Sequence, residues 1–576
     1  MPTIRRPSNR PSSKQTVMHG SSDGSRSFWA ERADPEQRAM NRLFGLSTRG
    51  VLVVVPAVFV AAFFLYPVAT ILWRGLGGGG GETFLDLAAS SRQRDIAWFT
   101  IWQAIASTVL TLAVGLPAAS VVARLSARRQ RLVRALVTVP FVLPTVVVAG
   151  AFTEVFAIVG LDDGAFRLRH TVWAVLIAHV FFNYAVVVRA VGSYWAGLDQ
   201  RVEEAARVLG AGPWQTFREV TLPRLRPAVA SAAAIVFLFS FTSFGVVLIL
   251  GGPRRATVET EIYRQAVTRV DLETAAALAA LQLLAVLALV TLSTRLERRR
   301  PIVGRGARSS RRPAALAWRR GNLIIGLVLL GGPIGVLVER SFSTGGSYGL
   351  DHYEALGERA RQLPAPATTA LWNSVVVALA ATAIAVLVGL LASLVVVHGR
   401  RGVARIFDLG LTLPLGTSAV TIGFGMLIAL DKPPLDLRTS WWIIPVAHAL
   451  VGVPFVVRTM VPVLRSIDPV LHEAAAVLGA SPSRARREID VPIGMRGLLV
   501  GAGFALAVSL GEFGATSFLP RRPENLTAPM ALFRLLSTPG DLLRGQAMAL
   551  SVILMVLVAT AVLVIESGRS GDEGVL

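Results

Sequence analysis

The chain contains no cysteine, so disulfide bridges and thiolate metal sites are excluded. It is also poor in charge: 16% of its 576 residues are Asp, Glu, Lys or Arg, against about 25% in an ordinary globular domain. Lysine occurs only at Lys14 and Lys432, and neither stands in a Gly-x-x-x-x-Gly-Lys-Ser/Thr context. A phosphate-cradling loop of that kind is therefore absent, and ATP hydrolysis by this chain alone is not expected. No His-Glu-x-x-His pair or carboxylate cage marks a catalytic metal. The expectation is no metal site and no cofactor held by this chain.

What the chain has in abundance is apolar sequence, 53% of the total. A membrane-crossing helix needs about 20 mainly apolar residues. Six such runs are expected over residues 51–73, 97–123, 132–159, 171–191, 228–250 and 275–294. Six more follow over 322–338, 371–397, 407–430, 441–463, 498–519 and 546–565. The prediction is an all-α polytopic membrane protein of about twelve spans in two six-helix halves, 49–294 and 322–566. A polar, Ser/Arg/Pro-rich tail over 1–48 lacks apolar periodicity and reads as disordered and cytoplasmic rather than as a secretory leader. An Arg-dense segment, 295–321, reads as a cytoplasmic linker, and 567–576 as a C-terminal tail.

The net charge of +22 does not point to nucleic acid, because it sits in short blocks beside apolar runs, as at Arg128-Arg129-Gln130-Arg131 and Arg298-Arg299-Arg300. Such blocks orient membrane helices by staying on the cytoplasmic side. With both termini inside, nearly every dense block falls inside; Arg254-Arg255 and Arg521-Arg522 are the exceptions.

Two polar islands interrupt the apolar pattern. Residues 202–227 read VEEAARVLGAGPWQTFREVTLPRLRP, and 471–497 read LHEAAAVLGASPSRARREIDVPIGMRG. Glu204 with Glu473, Gly210 with Gly479, Pro213 with Pro482 and Pro223 with Pro492 align at one offset of 269 positions. The same offset relates His179 to His448, Arg189 to Arg458, Asp199 to Asp468 and Phe244-Gly245 to Phe513-Gly514. A register shared over such a span indicates internal duplication. In the first island a short helix over 202–210 is expected to end at a left-handed Gly210. A second short helix from Trp214 should then be broken at Thr221-Leu222-Pro223 before the next span. Exposed Glu beside small Ala suits docking into a groove of another protein. An ordinary interfacial loop is the simpler reading of one such island, but it does not account for two at matched positions.

Within the spans, His179 and His448 lie near the middle of repeat-related helices, and intramembrane ionisable groups favour bundle interiors or pathways. They read either as helix–helix hydrogen bonders or, with Asn183, Ser243 and Glu512, as candidate pathway residues; Glu154, Ser240 and Ser509 join that second set. Arg189 and Arg458 lie nearer the cytoplasmic end, where snorkelling accounts for them. Pro140, Pro144 and Pro414 should bend the third span of each half.

The island pattern, Glu-Ala-Ala, three residues, Gly, nine residues, an aliphatic residue, any residue, Leu-Pro, resembles the cytoplasmic loop of permease subunits of bacterial ATP-binding-cassette importers. Glu204-Ala205-Ala206, Gly210, Val220 and Leu222-Pro223 fit it throughout. Glu473-Ala474-Ala475, Gly479, Ile489 and Pro492 fit with Val491 in place of Leu. The resemblance implies a type I importer permease in the bacterial cytoplasmic membrane, with each loop docked as a coupling helix on one of two ATPase copies. Those partners would bind ATP and Mg, and an extracytoplasmic solute-binding protein would deliver substrate. Fusion of two halves resembles the permeases for thiamine and for ferric iron. Leu250-Gly251-Gly252-Pro253, Ala256-Thr257-Val258-Glu259, Ile262-Tyr263 and Ala178-His179-Val180-Phe181-Phe182-Asn183 are similar to thiamine permeases in particular, whereas Glu512-Phe513-Gly514-Ala515 fits thiamine, iron or related anion permeases. A transporter driven by an ion gradient would also duplicate its helices. It would need membrane carboxylates for coupling, and Glu154 and Glu512 are not repeat-related. A membrane-embedded enzyme lacks any catalytic constellation here.

Overall fold

The computed structural model describes residues 46–77, 86–87, 89–162, 167–298, 315–432, 436–437, 440–519 and 523–569. Most of both expected terminal tails and of the Arg-dense linker lies outside these residues. The first half runs α1 (Leu52–Leu76), α2 (Ser91–Val122), α3 (Ala127–Val142), α4 (Thr145–Ile158) and α5 (Val172–Ala196). It continues with α6 (Arg201–Val208), α7 (Pro213–Phe241), α8 (Gly245–Leu250), α9 (Val258–Tyr263) and α10 (Leu272–Arg298). The second half repeats this order as α11 (Leu316–Phe342), α12 (Ala367–His398), α13 (Arg401–Gly416), α14 (Ala419–Ala429) and α15 (Ile443–Arg465). Then come α16 (Pro469–Val477), α17 (Val491–Gly511), α18 (Gly514–Phe518), α19 (Ala528–Leu536) and α20 (Asp541–Arg569). Among the described residues the only sheet is a two-stranded hairpin pairing Ser343–Thr344 with Ser347–Tyr348.

Among the described residues ten helices are long and apolar enough to cross a membrane. The third span of each half is not one of them. In the first half it is two helices, α3 and α4, bent by 92°. Leu143 precedes Pro144, whose ring disfavours the helical conformation there, and it sits at φ −59°, ψ 142°. In the second half the break between α13 and α14 falls at Thr417 and Ser418 with no proline, and the Ser418 side chain accepts the Val420 N–H as a helix cap. The described spans therefore number ten, or eleven with α3 and α4 taken as one, against the twelve expected, and the third run is broken in each half.

The most enclosed helices are α5 and α15, each 78% buried across its apolar window, whereas α1 and α11 are 22% and 17% buried. The outer pair is exchanged between halves. The first helix, α1, packs on α12 and α14 as well as on α10; added Cβ atoms at Gly425 and Gly75 would meet Pro67 and the Ala276 carbonyl. Reciprocally, α11 packs on α2 and α4: Trp318 Nε1 donates to Ser120 Oγ at 3.2 Å, and Arg340 Nε lies 3.9 Å from Glu154 Oε2. Each half is therefore clasped by a helix of the other.

Where the halves meet, Phe244 stacks on Phe513 with centroids 5.4 Å apart, and Tyr263, Phe424, Phe518 and Phe533 extend the cluster. The segments between the fifth and sixth expected runs of each half contribute α9 and α19 to this core, with Ile262 and Leu532 fully buried. Each of these short helices is pinned the same way. The Val258 N–H donates to Thr100 Oγ1 at 3.0 Å, and the Ala528 N–H to Ser374 Oγ at 2.7 Å. The helices over 228–250 and 498–519 also break once each, before α8 and α18.

Candidate functional site: paired surface loops and buried histidine clamps

The two islands fold alike. Helices α6 and α16 each follow an aspartate whose side chain takes an early N–H: Asp199 Oδ1 accepts from Arg201 N, and Asp468 Oδ1 from Val470 N, both at 3.0 Å. Each stops in a left-handed glycine, Gly210 at φ 90° and Gly479 at φ 79°. The Ala211 N–H then reaches back to the Ala206 carbonyl, and the Ala480 N–H to that of Ala475, satisfying carbonyls the helix end leaves free. Glu204, Ala205, Glu473 and Ala474 point to solvent, while Ala206 and Ala475 are half-buried.

The expected break at Thr221-Leu222-Pro223 does not occur. The chain stays helical from Pro213 to Phe241 because the turns before Pro223 widen to π-helix over Thr216–Thr221. The same widening over Arg486–Asp490 precedes Pro492. A proline removes one backbone donor and crowds the carbonyl four residues back; a wider turn relieves both.

Four residues that the island pattern does not single out are conspicuous at the loop tips. Val208 and Leu209 are 86% and 87% exposed, and Val477 and Leu478 both 87%. Bare aliphatic pairs at matched positions are the kind of exposed apolar surface that marks interaction sites. The duplicated Val-Leu-Gly is the signal that discloses them, since a helix end turning at an exposed glycine leaves nothing to cover the two preceding residues. Beside the first loop, outside the spans, burial lowers the Arg124 guanidinium from its usual value, opposed by the charge of Glu203.

At the breaks after α7 and α17 the structure assembles the polar intramembrane residues into two clusters. His179 bridges Ser107 Oγ, 2.9 Å from Nδ1, and Ser243 Oγ, 2.8 Å from Nε2. Asn183 Nδ2 donates to the His179 carbonyl at 3.0 Å and reaches Ser240 Oγ at 3.4 Å. In the second half His448 bridges Ser509 Oγ at 2.8 Å and Thr516 Oγ1 at 2.7 Å, with Glu512 Oε2 3.5 Å from Nε2. Glu512 also caps α18: its carboxylate accepts the Ala515 N–H at 3.0 Å, the Thr516 N–H at 3.1 Å and the Thr516 hydroxyl at 2.8 Å. Both rings are 2% exposed, so each clamps an enclosed helix to the broken end of its neighbour. Glu154 is outside both clusters, facing Arg340. Arg189 Nη1 donates to Thr138 Oγ1 at 2.7 Å, tying α5 to α3, and Arg458 is exposed.

A duplicated bundle of broken membrane helices with paired surface loops defines the membrane component of a transport system. The family of binding-protein-dependent transport system inner membrane components matches the chain twice, over 112–300 and 382–566, and the chain belongs to that family. It is 26% identical over 516 residues to a probable ABC transporter permease protein of Sinorhizobium fredii, covering 84% of this chain and 89% of the relative. A thiamine transport system permease protein of Brucella abortus is 28% identical over 511 residues, covering 83% of this chain and 88% of the relative. A molybdenum transport system permease protein of Mycobacterium tuberculosis is 33% identical over 250 residues, covering 42% of this chain and 91% of the relative. Among solved structures, a bacterial ABC transporter involved in the import of the acidic polysaccharide alginate is 19% identical, covering 48% of this chain and 99% of that one, at a TM-score of 0.35.

Proposed function

We propose that this chain is the complete membrane pathway of an importer that moves thiamine into the cell, one copy working with two ATPase subunits and an extracytoplasmic binding protein. The observation that carries the transport mechanism is the pair of matched loop tips, each offering Glu, two Ala and a bare Val-Leu pair at the same helical positions. Two such surfaces within one chain suit two copies of one partner, because the duplication supplies the twofold relation that separate subunits would otherwise provide. The thiamine assignment rests on near full-length similarity to the Brucella permease and on a second thiamine permease, from Escherichia coli, 24% identical over 452 residues.

Loaded binding protein would dock outside, and closure of the two ATPases on ATP would draw the loops together and rearrange the helices. The loops, nearly every Arg-dense block and both termini then lie in the cytoplasm. Uptake of labelled thiamine, ferric iron and molybdate, in cells with and without this gene, tests the substrate. Loss of thiamine uptake alone is expected; loss of iron or molybdate uptake alone would replace thiamine and leave the loop assignment in place. The loops are tested by Glu473→Arg, which is expected to abolish both ATPase association and uptake.

A further inference from the structure

The loops are joined to the membrane helices by a side-chain contact that has kept its place and changed its chemistry. In the first half the Thr221 hydroxyl donates to Glu203 Oε1 at 3.1 Å. In the second half His472 Nε2 lies 3.0 Å from Asp490 Oδ1. Glu203 and His472 are repeat-related at the 269 offset, and so are Thr221 and Asp490. Each pair ties the first turn of a loop helix, α6 or α16, to the last residue of the π-helical turn at the base of the next span. Between these two points the chain turns through Gly210 or Gly479 and the small helix after it, which alone would let the loop helix swing. The neighbouring residues Glu204 and Glu473 face solvent, so docking and bracing are divided between adjacent side chains.

We propose that Glu203–Thr221 and His472–Asp490 are struts that transmit movement of the docked loops to α7 and α17, and hence to the breaks held by His179 and His448. The inference rests on the reading of the loops as ATPase-docking surfaces. Two unrelated pairs at one position point to selection for the connection rather than for either chemistry. In the second strut the side chains are 40% and 29% exposed, so solvent competes with the contact and keeps it weak. The first has Arg124 as a further charged neighbour of Glu203.

The chain itself supplies the test, because each half holds a working replacement for the other. His472→Glu sets a carboxylate against Asp490, and His472→Glu with Asp490→Thr rebuilds the first-half pair. The assembled transporter with its ATPase is purified and reconstituted in vesicles with the binding protein. Retention of ATPase and solute taken up per ATP hydrolysed are then read separately. His472→Glu is expected to keep the ATPase bound and to lower uptake per ATP about fivefold, the upper range for a part-solvated polar contact. The double variant is expected to return within about twofold of wild type, since additivity fails for contacting residues. The reciprocal exchange, Glu203→His with Thr221→Asp, should likewise be tolerated where Thr221→Asp alone is not. An unchanged ratio in His472→Glu, or no recovery in the double variant, overturns the struts while leaving docking intact. A wild-type chain that retains no ATPase overturns the docking reading, and the struts with it.

Discussion

In the first half the ring of His179 meets Ser107 and Ser243; in the second the matching ring of His448 meets Ser509 and Thr516, with Glu512 alongside. Ser243 and Glu512 occupy the same place in the repeat, yet the serine serves only the histidine among the bonds described, while the glutamate also holds the first turn of α18. The same divergence recurs in the core. Glu259, fully buried and bonded by Gln282, has Pro529 as its counterpart at an offset of 270. What both halves retain is backbone geometry: the left-handed loop glycines, the widened turn before a proline, the broken third span and the hydroxyl that pins α9 or α19. Duplication has preserved where the chain bends and let the side chains that hold each bend drift apart.

That comparison is broken most directly at Glu512. Glu512→Ala removes three bonds to one buried carboxylate and leaves two N–H groups unpaired, a loss of about 3 kcal/mol. Ser243→Ala removes one hydroxyl and should cost about 1 kcal/mol. Thermal unfolding of the purified protein in detergent should show the larger shift for Glu512→Ala. Equal shifts would mean that Glu512 does not cap α18 and that the two clamps are equivalent.

A middle-sized difference is expected at the glycines that open α8 and α18. A Cβ on Gly245 would collide with the Thr145 hydroxyl, whereas one on Gly514 would come 3.1 Å from Ala419 Cβ. Gly245→Ala should therefore cost about 2 kcal/mol, and Gly514→Ala less than about 1. Thr145 and Ala419 open α4 and α14, so the first-half contact can be converted to the second-half one. Thr145→Ala is expected to recover most of the loss in Gly245→Ala, a coupling that a double-mutant cycle reads directly. Additive losses would place the strain elsewhere.

Much of this architecture is legible in the chain because it repeats: one offset aligns the loops, the histidines and the Phe-Gly at the breaks from sequence alone. The position of Gly210 at a helix end follows from its spacing in the island. Other features carry no local mark. The helices α9 and α19 are too short to stand apart from loop sequence, whereas the break before α14 falls just past the Pro414 expected to bend that span. Pro223 is misleading because π-widening accommodates it within the helix. The exchange of α1 and α11 is a non-local arrangement that no window of sequence encodes. Val208, Leu209, Val477 and Leu478 are legible in principle, but apolar residues beside a membrane span read as buried, and only the fold shows that nothing covers them.

The smallest expected effect asks whether the loops, alike in shape, are alike in use. Gly210 and Gly479 have nothing within 4 Å of an added Cβ, so alanine there is opposed only by the left-handed backbone. That costs about 1 kcal/mol at each position, the same in both halves and confined to the turn. Global stability should hardly change, whereas the angle at which Val208-Leu209 or Val477-Leu478 is offered should. Gly210→Ala and Gly479→Ala are therefore expected to weaken ATPase retention to the same small extent, measured by salt-dependent release from immobilised transporter. If only one of them weakens it, a single loop carries the attachment. The other, with the same fold, would then serve mainly to pass the motion on.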